Sequence, residues 1–505
     1  MRISILLCLF FPLFIFAQKQ IVQTKSGPIR GVEKEGVQIY KGIPFAAAPV
    51  GDLRWKAPQP VKPWEDIKDC TSFGASPYQS APIPFMCWSE EYLIPKAPIS
   101  EDCLYLNVWA PKKTKPKKAV LVYIYGGGFR SGGAGCAIYD GTAVAKKDVV
   151  FVSINYRVGV FGFLAHPALT KEAAYKSSGN YALLDMVAAL QWVHDNIENF
   201  GGDPSKVTIA GQSAGAFAVN FLCASPLTKG LIHGAIAESG GSILASSLRP
   251  NLLLKDAEAQ GLTFAKNLNC NSIEALRNKT SEEILKAIGG LSSPIQDGYF
   301  LPNSIYDIYA QNAQNDIPTI IGWNEDDKLI GKPMPAKQYI ESIKNKFGAK
   351  ADAVLALYPG DSEEAAAQSQ GEMSRDQSIG IQGFAWANLQ SEKGKAPVYV
   401  YSFDRKLPAY TPATDFGAFH TGEVVYAYDN LFTVNRPWIK EDHDLALTMS
   451  TYWTNFAKTG NPNNVSLTQW PRYQISQKLI IHFDKKIQVA TLATEEKLKL
   501  LTFLN

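Results

Sequence analysis

Six short runs, at 119–125, 149–154, 206–210, 235–238, 317–321 and 397–403, are built mainly from apolar, β-branched or aromatic residues. They constrain the fold more than any other feature. Their apolar residues follow one another instead of alternating with polar ones, which is the pattern of strands covered on both faces. Between two of them, the segment 180–200 spaces Leu183, Leu184, Val187, Leu190, Trp192, Val193 and Ile197 almost helically. The stop Phe200-Gly201-Gly202-Asp203-Pro204 then ends that helix before the next strand. This alternation predicts an α/β fold with a large, mostly parallel central sheet and helices on both faces. In such sheets the chemistry sits in loops at the carboxyl ends of strands.

The bulk composition narrows the partners. A chain of 505 residues that is 46% hydrophobic can bury a large core. Lys+Arg total 50 and Asp+Glu 47, so the net charge of +3 offers nothing to a nucleic acid. The basic run Lys112-Lys113-Thr114-Lys115-Pro116-Lys117-Lys118 reads as a solvated loop. At the N-terminus, Arg2, an apolar stretch over 3–16 and Ala17 describe a signal peptide at 1–17. A single domain with loop and helical insertions is then expected over 18–505, secreted or periplasmic, with no membrane attachment after cleavage. Cys70, Cys87, Cys103, Cys136, Cys223 and Cys270 remain, in a compartment that permits disulfides, and fifteen full pairings are open to them. No Cys or His spacing suits a structural metal, so none is expected.

The run 206–210 leads straight into Gly211-Gln212-Ser213-Ala214-Gly215, and an apolar helix over 216–223 follows. Glycines on either side of the serine let a sharp strand-to-helix turn form and expose its hydroxyl as a nucleophile. Acyl transfer also needs donors aimed at the developing oxyanion. The run 119–125 ends in Gly126-Gly127-Gly128-Phe129, so the donors are assigned to the amides of Gly127, Gly128 and Ala214.

At this point the sequence resembles the type-B carboxylesterases, the α/β-hydrolase family that includes the cholinesterases. The matching stretches are Gly42-Ile43-Pro44-Phe45-Ala46, Glu101-Asp102-Cys103-Leu104-Tyr105-Leu106-Asn107-Val108, Tyr125-Gly126-Gly127-Gly128-Phe129, Asn155-Tyr156-Arg157, Gly179-Asn180-Tyr181 and the Phe200 stop. The elbow at Ser213, Gly417-Ala418-Phe419-His420 and Gly460-Asn461-Pro462-Asn463 complete the set. The resemblance implies an α/β-hydrolase fold and hydrolysis of a small-molecule carboxylic ester through an acyl-enzyme, with no cofactor and no metal.

Of six histidines, His420 lies C-terminal to every candidate acid, in the chain order nucleophile, acid, histidine. It also matches the family's histidine motif, with Glu423 in support. His166, His194, His233, His443 and His482 read as packing or surface residues. The acid falls in Gly322-Trp323-Asn324-Glu325-Asp326-Asp327. Relatives place Glu five residues after that glycine, which favours Asp327, with Glu325 as the alternative.

Three positions depart from the family pattern. Gln212 stands where relatives carry Glu, so His420 is expected to have a lower apparent pKa than in a Gln212→Glu variant. Pro77 stands near a cysteine that relatives bridge to Cys103, leaving Cys70 or Cys87 as the possible partner. Tyr125 replaces a frequent histidine. The loops 82–98 and 291–306 are expected to wall the gorge. An amidase, thioesterase or lipase could use the same site, and a binding module that has lost catalysis is the other class; intact Ser213 and His420 argue against the latter.

Overall fold

The computed structural model describes residues 19–112, 115–246, 251–328 and 330–504. The expected signal peptide lies outside the described residues, as do Lys113 and Thr114 of the basic run. Twelve strands form one path: β1 (Lys19–Thr24), β2 (Gly27–Lys34), β3 (Val37–Pro44), β4 (Tyr105–Pro111), β5 (Lys118–Ile124), β6 (Val150–Ile154), β7 (Gly202–Gln212), β8 (Gly234–Glu238), β9 (Thr319–Asn324), β10 (Val398–Phe403), β11 (Leu479–Phe483) and β12 (Gln488–Thr491). Their spatial order is β1-β2-β3-β4-β6-β5-β7-β8-β9-β10-β11-β12, with the two-residue strand Lys68–Asp69 beside β2. Neighbours from β6 through β11 are parallel. The β1–β4 segment and the β11–β12 pair are antiparallel, and β4 joins β6 antiparallel.

All six expected runs are strands of the parallel block. The run 206–210 extends to Gly202–Gln212, and the others shift at their ends by one to three residues. Every residue of β6, β8, β9 and β10 is buried, which requires cover on both faces. Helices supply that cover. They include α1 (Tyr181–Asn196), α2 (Ala214–Ala224), α3 (Ile381–Lys393) and α4 (Lys440–Thr459). Helix α2 is buried at every position and packs on β7 and β8. Helix α1 runs into a short 3-10 turn, Ile197–Phe200, and ends at Gly201 with φ 80°. The Gly201-Gly202 pair thus makes the expected stop.

The antiparallel strands β1–β3 were not among the expected runs. In β2, the buried Gly27, Ile29 and Gly31 alternate with the partly exposed Pro28, Arg30 and Val32. Such two-residue periodicity is invisible to a search for continuous apolar runs.

Several family stretches hold the scaffold in place. Arg157 donates from Nε and Nη2 to both carboxylate oxygens of Asp185 on α1, at 2.8 and 2.7 Å, with both side chains buried. Asn155 receives the amide of Ala134 at 2.8 Å and donates to Ala75 O at 3.0 Å. The segment after β6 is thereby clamped to α1, and removing either partner of the ion pair leaves a buried charge at a cost of about 3–5 kcal/mol. Cys70, Cys87, Cys103, Cys136, Cys223 and Cys270 are all free and buried, so Cys103 is not bridged to Cys70 or Cys87. Among the described residues no helix is long and apolar enough to cross a membrane.

Candidate active site

Strand β7 delivers Ser213 directly to the N-terminus of α2, with φ 55° and ψ −123° at the serine. A non-glycine residue in that region costs about 1–3 kcal/mol and persists only when its surroundings demand it. Here they do. The Ser213 amide donates to Glu238 O at 2.9 Å, and the Phe217 amide donates to Ser213 O at 2.9 Å. A Cβ on Gly215 would lie 2.0 Å from Ile124 O, and one on Gly211 would lie 2.5 Å from Gly215 C. Only glycine therefore allows the elbow to close against β5.

The loop after β5 brings Gly126, Gly127 and Gly128 to the same place. A Cβ on Gly126 would meet Gln212 O at 2.8 Å and Ser213 Cβ at 3.0 Å. Among the described residues, the amides of Gly127, Gly128 and Ala214 donate to no acceptor in the protein. Ala214 is buried at the first position of α2, where helical amides lack internal partners. Two of these donors thus belong to the loop that lines the cavity of the nucleophile, and the third follows Ser213 directly.

His420 is reached through the β9–β10 region. An isolated bridge pairs Asp326 with Phe419, and Asp326 Oδ2 accepts the Ala418 amide at 2.9 Å. His420 Nδ1 is hydrogen-bonded to Asp327 Oδ1. Asp327 Oδ2 accepts the Asn324 amide at 3.0 Å, and the carboxylate is fully buried. Glu325 points elsewhere and pairs with Arg375 at 2.9 Å. Of the two candidate acids, Asp327 is the one in contact with His420.

The other face of the imidazole meets Gln212, whose Nε2 lies 3.2 Å from His420 Nε2, while Thr421 Oγ1 donates to Gln212 Oε1 at 3.2 Å. An amide nitrogen can only donate, so in the neutral ring Nε2 carries the lone pair and Nδ1 carries the proton given to Asp327. That is the tautomer a general base requires. Burial works to depress the His420 pKa, but the charge and hydrogen bond of Asp327, aided by Glu423, overcome it and hold the pKa above the usual histidine range.

Behind this pair lies a carboxyl cluster. Glu423 is fully buried, not at the surface; its Oε2 accepts from Asn324 Nδ2, and Ser239 Oγ donates to its Oε1 at 3.4 Å. Burial, with the charges of Asp327 and Glu238, pushes Glu423 up to about 8. Glu238 is also pushed up to about 8 by burial, against hydrogen bonds from Trp453 and Tyr428 to its Oε1.

Ser213, His420, Gly127 and Gly128 line one cavity of about 850 Å³, large enough for a small-molecule ester. Its near wall comes from Pro82, Ile83, Phe85, Trp88 and 92–94, as expected. The far wall corrects an expectation in part, since of the loop 291–306 it includes Ser292. It is formed by Ile284, Leu285, Ala287, Gly289, Gly290 and Ser292, whereas residues 294–306 contribute to a separate cavity of about 350 Å³. Tyr125 does not line the cavity; it is buried and stacked on Tyr156, with ring centroids 4.2 Å apart and hydrogen bonds exchanged between each hydroxyl and the other's carbonyl.

Two site residues carried no sequence signal. Asn324 ties Asp327, Glu423 and Phe419 O together, and Trp88 sits edge-on to His420 at 6.2 Å while donating to Thr421 Oγ1 at 3.2 Å. Of the other histidines, His482 bonds Asp404 at 2.7 Å, His166 caps a short helix, His233 faces the Val207 amide, and His194 and His443 are exposed. Among the described residues no group of three or more His, Cys, Asp or Glu side chains is arranged to hold a metal ion.

Known proteins resemble this chain over nearly its whole length. A sequence model of the carboxylesterase family matches residues 18–501. Fumonisin B1 esterase from Sphingopyxis macrogoltabida is 36% identical over 490 residues, covering 90% of this chain and 85% of that protein. Para-nitrobenzyl esterase from Bacillus subtilis (strain 168) is 34% identical over 505 residues, covering 95% and 97%. A solved structure of PNB esterase superposes with a TM-score of 0.81 at 32% identity, covering 95% of this chain and 99% of its own.

Proposed function

Because the chain belongs to the carboxylesterase family and has its α/β-hydrolase fold, we propose that it hydrolyses carboxylic esters through an acyl-enzyme on Ser213, after export from the cytoplasm. Ser213 Oγ attacks the ester carbonyl while His420 Nε2 leaves the Gln212 amide and takes the hydroxyl proton. Asp327 keeps the ring in that tautomer and stabilises the imidazolium. The amides of Gly127, Gly128 and Ala214 receive the oxyanion, each contributing about 3–4 kcal/mol to the transition state if they act like other such donors. His420 returns its proton to the departing alcohol, and water, activated by the same imidazole, releases the acid.

The observation that carries this reading is the orientation of His420. Its Nδ1 is fixed on a buried carboxylate, and its ring shares a cavity with a strained, half-buried serine and two glycines with unspent amides. Stopped-flow hydrolysis of 4-nitrophenyl butyrate is expected to show a burst of one nitrophenol per active site. Neither burst nor turnover should survive in Ser213→Ala. Steady turnover in that variant would remove the serine from the mechanism, and no turnover in the unaltered protein would favour a binding module. Export rests on residues 1–17, and a secreted protein whose first residue is Gln18 is the expected product.

A further inference from the structure

The cavity over Ser213 carries one fixed charge. Among the described residues, Arg130 is the only Lys or Arg that lines it, and no Asp or Glu does. The side chain before the nucleophile is the neutral Gln212, and the rest of the lining is apolar or uncharged apart from His420. The site therefore presents an unbalanced positive charge to whatever enters.

Arg130 is also held as a recognition group would be. It follows the oxyanion loop directly, and its amide donates to Gly127 O at 3.0 Å. From there its Nε reaches to Ser292 Oγ at 2.7 Å, on the opposite wall. That bond orients the guanidinium plane and uses one of its five donors. Among the described residues no carboxylate pairs with it. Elsewhere, Arg30, Arg54, Arg157, Arg277, Arg375 and Arg405 are each matched to an Asp or Glu, while Arg436 donates to Pro408 O. The fork of Arg suits a planar carboxylate, which it binds through two parallel hydrogen bonds. Ser292 can add a third, since its hydroxyl accepts from Arg130 and keeps its own proton to donate.

We infer that the esters this site selects carry a free carboxylate a few carbons from the scissile bond, held by the Nη groups of Arg130 and by Ser292 Oγ. This rests on the reading of Ser213 as the nucleophile.

The test compares kcat/KM for mono(4-nitrobenzyl) glutarate with that for 4-nitrobenzyl hexanoate, a neutral ester of similar length. A second pair, 4-carboxybenzyl hexanoate and benzyl hexanoate, puts the charge on the alcohol instead. The unaltered protein is expected to prefer at least one anionic ester over its neutral partner by about tenfold or more, which is ~1.4 kcal/mol. Arg130→Gln should bring that ratio to about one, and Arg130→Lys should restore part of it by returning the charge without the fork. Because Arg130 is exposed, added salt should erode the preference in the unaltered protein and leave the ratio in Arg130→Gln unchanged. Preference for the neutral ester in both pairs, or a ratio insensitive to Arg130→Gln, would overturn the inference. Failure of the Ser213 reading would look different, with hydrolysis of all four esters absent or surviving Ser213→Ala.

Discussion

Replacing Gln212 by Glu puts a carboxylate where an amide now faces the catalytic imidazole, and the size of the effect follows from the distance. Gln212 Nε2 lies 3.2 Å from His420 Nε2, and Gln212 is buried. With an effective dielectric constant of about 20, a full negative charge at that separation favours imidazolium by roughly 5 kcal/mol. Much of this is offset. The new carboxylate is itself desolvated at a buried position, and the charge of Asp327 on the far side of the imidazole opposes its ionisation. A net rise of about 1–2 pH units in the His420 pKa is the expected residue of these opposing effects. The base must be neutral to act, so the acidic limb of the kcat/KM profile should move to higher pH by that amount. The assay is kcat/KM for a neutral nitrophenyl ester between pH 4 and 9, with Gln212→Met as the uncharged control. An acidic limb that stays where it is, or moves to lower pH, would refute the electrostatic reasoning.

Asp327→Asn should lower kcat by about 10³–10⁴-fold with little change in Tm, because an amide at that position forces the other tautomer on His420; a loss below about tenfold would mean that Asp327 does not orient the ring. Gly215→Ala would place a methyl 2.0 Å from Ile124 O, so it should cost at least about 4 kcal/mol in urea unfolding or abolish soluble expression. Glu238 is pushed from 4.5 up to about 8 by burial, so between those values the folded protein holds a proton that the unfolded chain has released. Its contribution to stability therefore falls as pH rises through that window, by about 1.4 kcal/mol per pH unit. Glu238→Gln, which keeps an oxygen for Tyr428 and Trp453, should flatten the decline in unfolding free energy over that range; an unchanged slope would contradict a protonated Glu238.

The parts of the site that were legible in the sequence are those where backbone geometry leaves no choice of residue. Gly211 and Gly215 announce the elbow because any Cβ there would strike β5 or the turn itself. The buried strands announce themselves because cover on both faces demands continuous apolar residues. The choice between Asp327 and Glu325 could not be made from spacing on firmer physical grounds, since it is decided by Arg375, some fifty positions onward, which draws Glu325 away. Asn324 and Trp88 were silent for a similar reason. Their roles come from long-range packing against 419–423, not from any local pattern. The far wall of the cavity falls mostly before the expected loop 291–306, because the small residues Ala287, Gly289, Gly290 and Ser292 are the ones that leave room for a ligand. Gln212 was recognised as a departure from relatives, yet its contact with the imidazole was visible only in three dimensions.

The most direct measurement is stoichiometric labelling with a fluorophosphonate, followed by mass spectrometry of the digested protein. One phosphonyl group per chain on the peptide containing Ser213, with esterase activity falling in step with its occupancy and no label in His420→Ala, is the predicted result. Label on a different residue, or full activity retained when residue 213 is completely modified, would contradict it.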